Sequence, residues 1–306
     1  MENNQKKALT QFAVLSLLFL GLSVFLCQKV IQQTNSYKDQ KQEYAASLFF
    51  KDRLLNPDEW FGDKKVQAEK IKAAATKLVD AQAARDEAYQ YAFYFALLVI
   101  VYGILAFLIS RNSARLRPAA LIVIALACLY GGLFTPMIEL SAFEKDVKFP
   151  VKFDTGMFGM KLDFEQEFVG EMFFYYQSKS VVELIKLLFQ QRNLVVGISI
   201  LLFSVIMPLG KILSTFAVLI NERLANNKII SLWINKAGKW SMADVFVVAM
   251  FLSYLAFSNM QVGIQTESQV MLGLYFFFAY VIFAIVSSVL LDVKRPDSLG
   301  RESGTI

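Results

Sequence analysis

The chain has 306 residues, of which 56% are hydrophobic and 19% charged, with 28 phenylalanines and a mean hydropathy of +0.45; this is membrane-protein composition, not that of two soluble domains. A formal charge of +5 is what basic cytoplasmic loops produce and requires no nucleic acid partner. The absence of histidine, together with only Cys27 and Cys128 in apolar runs, excludes Ser-His-Asp and Cys-His catalysis, histidine-ligated haem, a disulfide scaffold and a four-cysteine zinc ribbon.

A bilayer crossing needs about 20 apolar residues, and six stretches qualify: 9–30, 89–110, 119–139, 194–220, 241–259 and 269–291. Lys6 and Lys7 before the first resemble a signal peptide. However, no small-x-small site follows, and Leu26 before Cys27 is unlike a lipobox, so an uncleaved helix is expected. Short basic loops near Arg111, Arg223, Lys236 and Lys294 alternate with long segments 32–88 and 140–193. That asymmetry predicts a multi-pass protein with both termini cytoplasmic.

The first unit, 1–117, is a pair of spans joined by an extracytoplasmic segment, 32–88. Ile71, Ala74, Leu78, Ala81, Ala88 and Ala92 keep a three-four spacing broken only by Arg85. Val30, Thr34, Tyr37, Tyr44 and Leu48 make a partner stripe on the outgoing side. Such spacing predicts an antiparallel helical hairpin that continues out of the membrane, with a turn at Asn56-Pro57-Asp58. Two roles fit it: a spacer, or a docking arm whose Trp60-Phe61 pair either caps the turn or touches a partner.

The second unit, 118–306, carries four spans. Val147–Asp154 and Met160–Glu165 alternate apolar and polar around Thr155-Gly156, which predicts a small β-hairpin. Ser180 followed by Glu183 opens an amphipathic helix with a capping box. The fold class expected is therefore membrane all-α with a small extracytoplasmic β-hairpin. It has six transmembrane helices, the last four in a tetraspanin-like or claudin-like bundle by analogy.

Charges inside a bilayer cost a few kcal/mol each, roughly 2.5–3.5 at the helix centre, and mark functional positions. Lys211 lies within the fourth span, and Asp244 lies early in the fifth, just after the interfacial anchor Trp240. These two are expected to form a polar network with Ser204, Ser214, Thr215 and Ser253. Pro208 should loosen the fourth span near Ser204, and Pro136, before Glu139, marks a second break at the end of the third. As for catalysis, Asp244 without a second acid, histidine or metal is a poor set. No enzyme activity, cofactor or metal is expected.

Lys239-Trp240-Ser241-Met242-Ala243-Asp244-Val245-Phe246 and Phe203-Ser204-Val205-Ile206-Met207-Pro208-Leu209-Gly210-Lys211 resemble motifs of the paraquat-inducible protein A family. So do Val182-Glu183-Leu184-Ile185-Lys186 and the position of Pro136. The resemblance covers the last three fifths of the chain. It implies a bacterial inner-membrane protein of lipid trafficking, with phospholipid as cargo, an MCE-domain tunnel protein as partner, and a polar network at Lys211 and Asp244 that couples protons to loading. Larger members carry two such modules and zinc ribbons, whereas this chain has one and no ribbon. A different class of function, a membrane adaptor or sensor acting through the 32–88 hairpin, is the competing expectation.

Overall fold

The computed structural model describes residues 2–61, 64–110, 116–155, 160–220, 249 and 265–292. Five of its helices are long and apolar enough to cross a membrane: Lys7–Ser47, Glu69–Ile109, Leu116–Phe134, Leu194–Val218 and Leu272–Leu290. The chain is thus a mostly helical multi-pass membrane protein. The expected span 241–259 lies outside the described residues.

Helices α1 (Glu2–Ser47) and α4 (Lys64–Ile109) each run 46 residues without a break, about 69 Å at ~1.5 Å per residue. They pack antiparallel along their whole paired length. On α1 the inward seam is Phe12, Ser16, Phe19, Ser23, Cys27, Val30, Thr34, Tyr37, Lys41 and Tyr44, continued by Leu48 just past its end. On α4 it is Ala74, Leu78, Ala81, Arg85, Ala88, Ala92, Phe95, Val99, Tyr102 and Ala106. Alternating steps of three and four keep one stripe turned to the partner. The heptad therefore continues through the membrane, where Ser16 Oγ and Tyr102 OH lie 2.8 Å apart and the Phe19 and Tyr102 rings stack. The outward residues of the same stretch, such as Leu17, Leu18, Phe93 and Phe107, are exposed, as a lipid-facing surface requires.

Two short helices, α2 (Phe50–Leu54) and α3 (Pro57–Phe61), close the hairpin. Trp60 caps it: Nε1 donates to the Leu54 carbonyl at 2.7 Å, and the indole meets Phe168 edge-on. This is the first of the two uses expected of that aromatic residue.

Helix α5 (Leu116–Phe134) ends earlier than the expected 119–139, because Thr135-Pro136 turns the chain into strand β1 (Ile138–Thr155). Strand β2 (Met160–Lys179) pairs with it antiparallel. The hairpin is longer than the alternating stretches suggested, running back to the pair Ile138–Lys179. A third strand, β3 (Gln265–Val270), unforeseen because its sequence is polar and short, adds to the other edge of β1. The sheet order is β2-β1-β3.

Bulges at Ala142/Phe143 and Lys145/Val147 bend the ribbon. At the second, Asp146 has φ 52 and accepts a 2.8 Å hydrogen bond from the amide of Gly170, whose φ of 88 favours glycine. Arg53 clamps this point, donating to the carbonyls of Val169 and Glu171 and to Glu59. Phe143 and Phe173 bury against Tyr44, Ala45, Leu48 and Ala74 of the helical hairpin.

Helix α6 (Val181–Gln190) begins at the expected capping box on Ser180 and Glu183 and packs on α5 and on α7 (Leu194–Leu201). A π-helical turn (Leu202–Ile206) joins α7 to α8 (Met207–Ile220). Helix α9 (Leu272–Asp292) returns against α5. Its Phe276 and Phe277 are buried while Phe278 is exposed.

Helices α5 and α9 approach closely through glycines, as membrane helices without a hydrophobic drive between them do. A Cβ on Gly132 would lie 2.8 Å from the Phe277 amide, and one on Gly273 only 2.2 Å from the Thr135 carbonyl. Gly273→Ala is therefore expected to cost about 3 kcal/mol, the upper end for overpacking. A fall in the thermal midpoint, followed by size-exclusion chromatography in detergent, would show it; an unchanged midpoint would contradict the close approach.

Candidate functional site

Two polar constellations stand out. The first is in the fourth span. Pro208 has no amide proton, so an α-helix through it would leave the Ser204 carbonyl without its usual donor. The chain answers with the π-helical turn at Leu202–Ile206 just before it, a device frequent at functional sites. Ser204, Pro208, Lys211 and Thr215 recur at steps of four and three and so share one face. Ser204 and Thr215 are buried (2% and 6% exposed), Pro208 is buried, and Lys211 and Ser214 are half-buried. Thr215 Oγ1 donates to the Lys211 carbonyl at 2.7 Å, a backbond that bends helices. The structure thus brings together Ser204, Lys211 and Thr215 along one helix that carries a π-helical turn, with Ser214 beside them. Asp244, Ser253 and Trp240 lie outside the described residues. Pro136 sits in the link between α5 and β1, where its carbonyl accepts from the Gly273 amide at 3.0 Å.

The second constellation was not foreseen as a site. Glu139 lies on the central strand with Ser178 and Gln269 directly opposite on its two neighbours, so their side chains share one face. Glu139 is 2% exposed and pairs with Lys41 of α1, whose ammonium also donates to Tyr37 OH at 3.0 Å. One turn earlier, Lys38 pairs with Glu183 at the start of α6. Glu139 Oε2, Ser178 Oγ, Gln269 Oε1 and Tyr176 OH are all buried without a hydrogen-bond partner. Buried oxygens gathered in this way are of the kind that ordered water satisfies.

Burial, and then the charge of Glu139, push the Tyr176 phenol well above its ordinary range, so it remains a neutral donor. Burial alone would raise the Glu183 carboxyl, but the Lys38 ammonium and the Ser180 amide outweigh it and hold it below the usual range. A depressed folded value contributes stability above the unfolded pKa and loses it as pH falls through the folded one. The thermal midpoint should therefore drop below about pH 4 more steeply in the wild type than in Glu183→Gln. Parallel melts across that range check this.

The sequence did hold one signal of this junction: Lys41 is the one charge on the inward seam of α1. Its partner could not be read, because Glu139 is remote in sequence and looked like an ordinary residue past a helix end.

Among the described residues no three Cys, Asp or Glu side chains converge as a metal would need. Comparison with known proteins gives one finding. Residues 170–295 match the family model described as Paraquat-inducible protein A. That segment begins within β2 and takes in α6 to α9, including the polar face of the fourth span. Neither the curated proteins nor the solved structures that were searched gave a match.

Proposed function

Since the chain belongs to the paraquat-inducible protein A family through residues 170–295, we propose that it loads or moves phospholipid at a bacterial inner membrane. In this reading both termini are cytoplasmic, the described spans are joined by a sixth at 241–259, and the last four form a tetraspanin-like bundle. Asp244 supplies the counter-charge to Lys211, with Ser204, Ser214, Thr215 and Ser253 completing a network that links lipid movement to protons. The partner is an MCE-domain tunnel protein in the extracytoplasmic space, and no bond in the lipid is made or broken.

One observation carries this reading. An ammonium, a π-helical break and two buried hydroxyls share one face of an apolar helix, and they lie inside the family-matched segment. Irregular backbone beside an intramembrane charge is how transport sites are built. The test is affinity purification of the full chain from native membranes, with mass spectrometry of co-purifying proteins and lipids. Enriched phospholipid together with an MCE-domain protein supports the reading; lipid of bulk composition with no such protein overturns it.

The second reading, an adaptor or sensor, draws on the joint between the helical hairpin and the sheet. Lys38 and Lys41 tie α1 to α6 and β1, so a load on the hairpin tip would reach the bundle. At the tip, Arg53, Asn56, Glu59, Lys70 and Lys77 line a groove of about 320 Å³. Replacing Lys70 and Lys77 with glutamate separates the two: it abolishes function if the tip recruits a partner and leaves phospholipid transfer intact if it does not.

A further inference from the structure

Cys27 and Cys128 are the chain's only cysteines, and neither polar constellation uses them. They are too few for a disulfide scaffold, yet the fold brings them together from two different units. Cys27 lies on the inward seam of α1 and Cys128 on α5, each 1% exposed and both within one apolar cluster. Cys27 Sγ sits 3.9 Å from the Ala127 carbonyl oxygen, which belongs to the peptide group leading into Cys128. Standard backbone dimensions put a carbonyl oxygen about 2.8 Å from the next Cα. The Cys27 sulfur is therefore within about 7 Å of the Cys128 Cα, and the two thiols lie within electrostatic range of one another.

Both cysteines also lie toward the same end of their spans. Residues 8–28 of α1 hold no charged side chain and Lys29 follows directly, so Cys27 stands at the far end of the membrane-buried stretch. Cys128 lies about 9 Å before the end of α5 at Phe134, at ~1.5 Å per residue. With both termini cytoplasmic, as proposed above, these ends face the extracytoplasmic space, where disulfides form and persist.

We propose that Cys27 and Cys128 form a disulfide that staples the helical hairpin to the four-span unit. The proposal rests on the orientation given above and not on lipid transport. The structure describes the pair as thiols; bridging sets their Cα atoms about 4.4–6.8 Å apart, by rotation of the side chains and closure of α1 on α5. The electron acceptor is a protein disulfide of an extracytoplasmic thiol oxidase. The Cys27 thiolate attacks that disulfide, forming a mixed disulfide and releasing one oxidase thiolate. The Cys128 thiolate then attacks the Cys27 sulfur, closing the bond and releasing the second oxidase thiolate. The two thiol protons of the chain pass to the oxidase thiolates, so one disulfide forms as another is reduced to two thiols. Both sulfurs are sealed once α1 packs on α5, so the bond forms before that packing is complete. It then lies roughly 16–21 Å along α1 from the ion pairs of Lys38 and Lys41, and the hairpin has one covalent and one ionic tie to the rest of the chain.

The test uses acid-quenched cells producing the full chain, denatured in N-ethylmaleimide and read by intact mass. Without reductant the wild type should carry no adduct, and after reduction it should carry two. Cys128→Ser should take one adduct without reduction, which identifies Cys128 as the partner of Cys27. Two adducts on the unreduced wild type, or a cross-link between chains, would overturn the proposal. Orientation is read separately with Val79→Cys, 64% exposed at that position in the wild type, in a chain carrying Cys27→Ser and Cys128→Ser. It should react with a membrane-impermeant maleimide in spheroplasts. If it reacts while the native pair is free, the staple alone fails; if it does not react and the pair is free, the orientation fails and the staple with it.

Discussion

Lys211→Ala is expected to reduce phospholipid transfer by about tenfold or more, a loss of at least ~1.4 kcal/mol in the step it serves, while the protein stays folded in the membrane. The two halves of that expectation have separate causes. A half-buried ammonium on an apolar helix costs roughly 2.5–3.5 kcal/mol to insert; Lys211→Ala relieves that cost while leaving Asp244 without its proposed counter-charge, and because the two effects oppose each other the protein should stay folded. The same charge is the strongest feature of the face that carries Ser204 and Thr215, so removing it should disable whatever that face conducts. Lys211→Arg preserves the charge and should retain a substantial part of the activity. Transfer of fluorescent phospholipid from proteoliposomes to acceptor vesicles gives the rate, and size-exclusion chromatography gives the fold. An aggregated Lys211→Ala protein would make the lysine a structural partner and remove the main support for a transport site.

Glu139→Ala should be the most destabilising single change outside the membrane spans. It leaves the Lys41 ammonium, 15% exposed at its side chain, beside a sheet face without its counter-charge. Breaking a buried pair in this way costs about 3–5 kcal/mol. The helical hairpin should then part from β1, making the chain around Lys38 and Lys41 accessible to trypsin. The companion variant separates pairing from packing: Lys41→Met combined with Glu139→Gln removes both charges and should recover most of the lost stability. If Glu139→Ala melts within about 1 kcal/mol of the wild type, in the range of an exposed pair, the junction is not the joint described here.

Local pattern sufficed wherever a feature depended on its own neighbourhood. The two long helices were legible because a three-four stripe of small and apolar residues declares a paired helix without reference to its partner. Ser180 and Glu183 announced the start of α6 because a capping box is made within four residues. Pro208 announced the break in the fourth span because the missing amide proton acts one turn away. The end of α5 was misread by a few residues because Thr135 to Glu139 is apolar enough to extend a span. What ends the helix is Thr135-Pro136, where the chain turns out of α5 into β1.

The sequence by itself determined that this is a multi-pass membrane protein, that a helical hairpin extends from its first two spans, and that Lys211 lies on an apolar helix just after a proline. Composition and short-range periodicity carry that information, since burying apolar length in a bilayer leaves few alternatives. Only the tertiary structure decided that β3 completes the sheet and that Glu139 meets Lys41 across 98 residues. Each of these depends on which surfaces meet, and a charge or hydroxyl reads the same in sequence whether water or a distant residue is its partner.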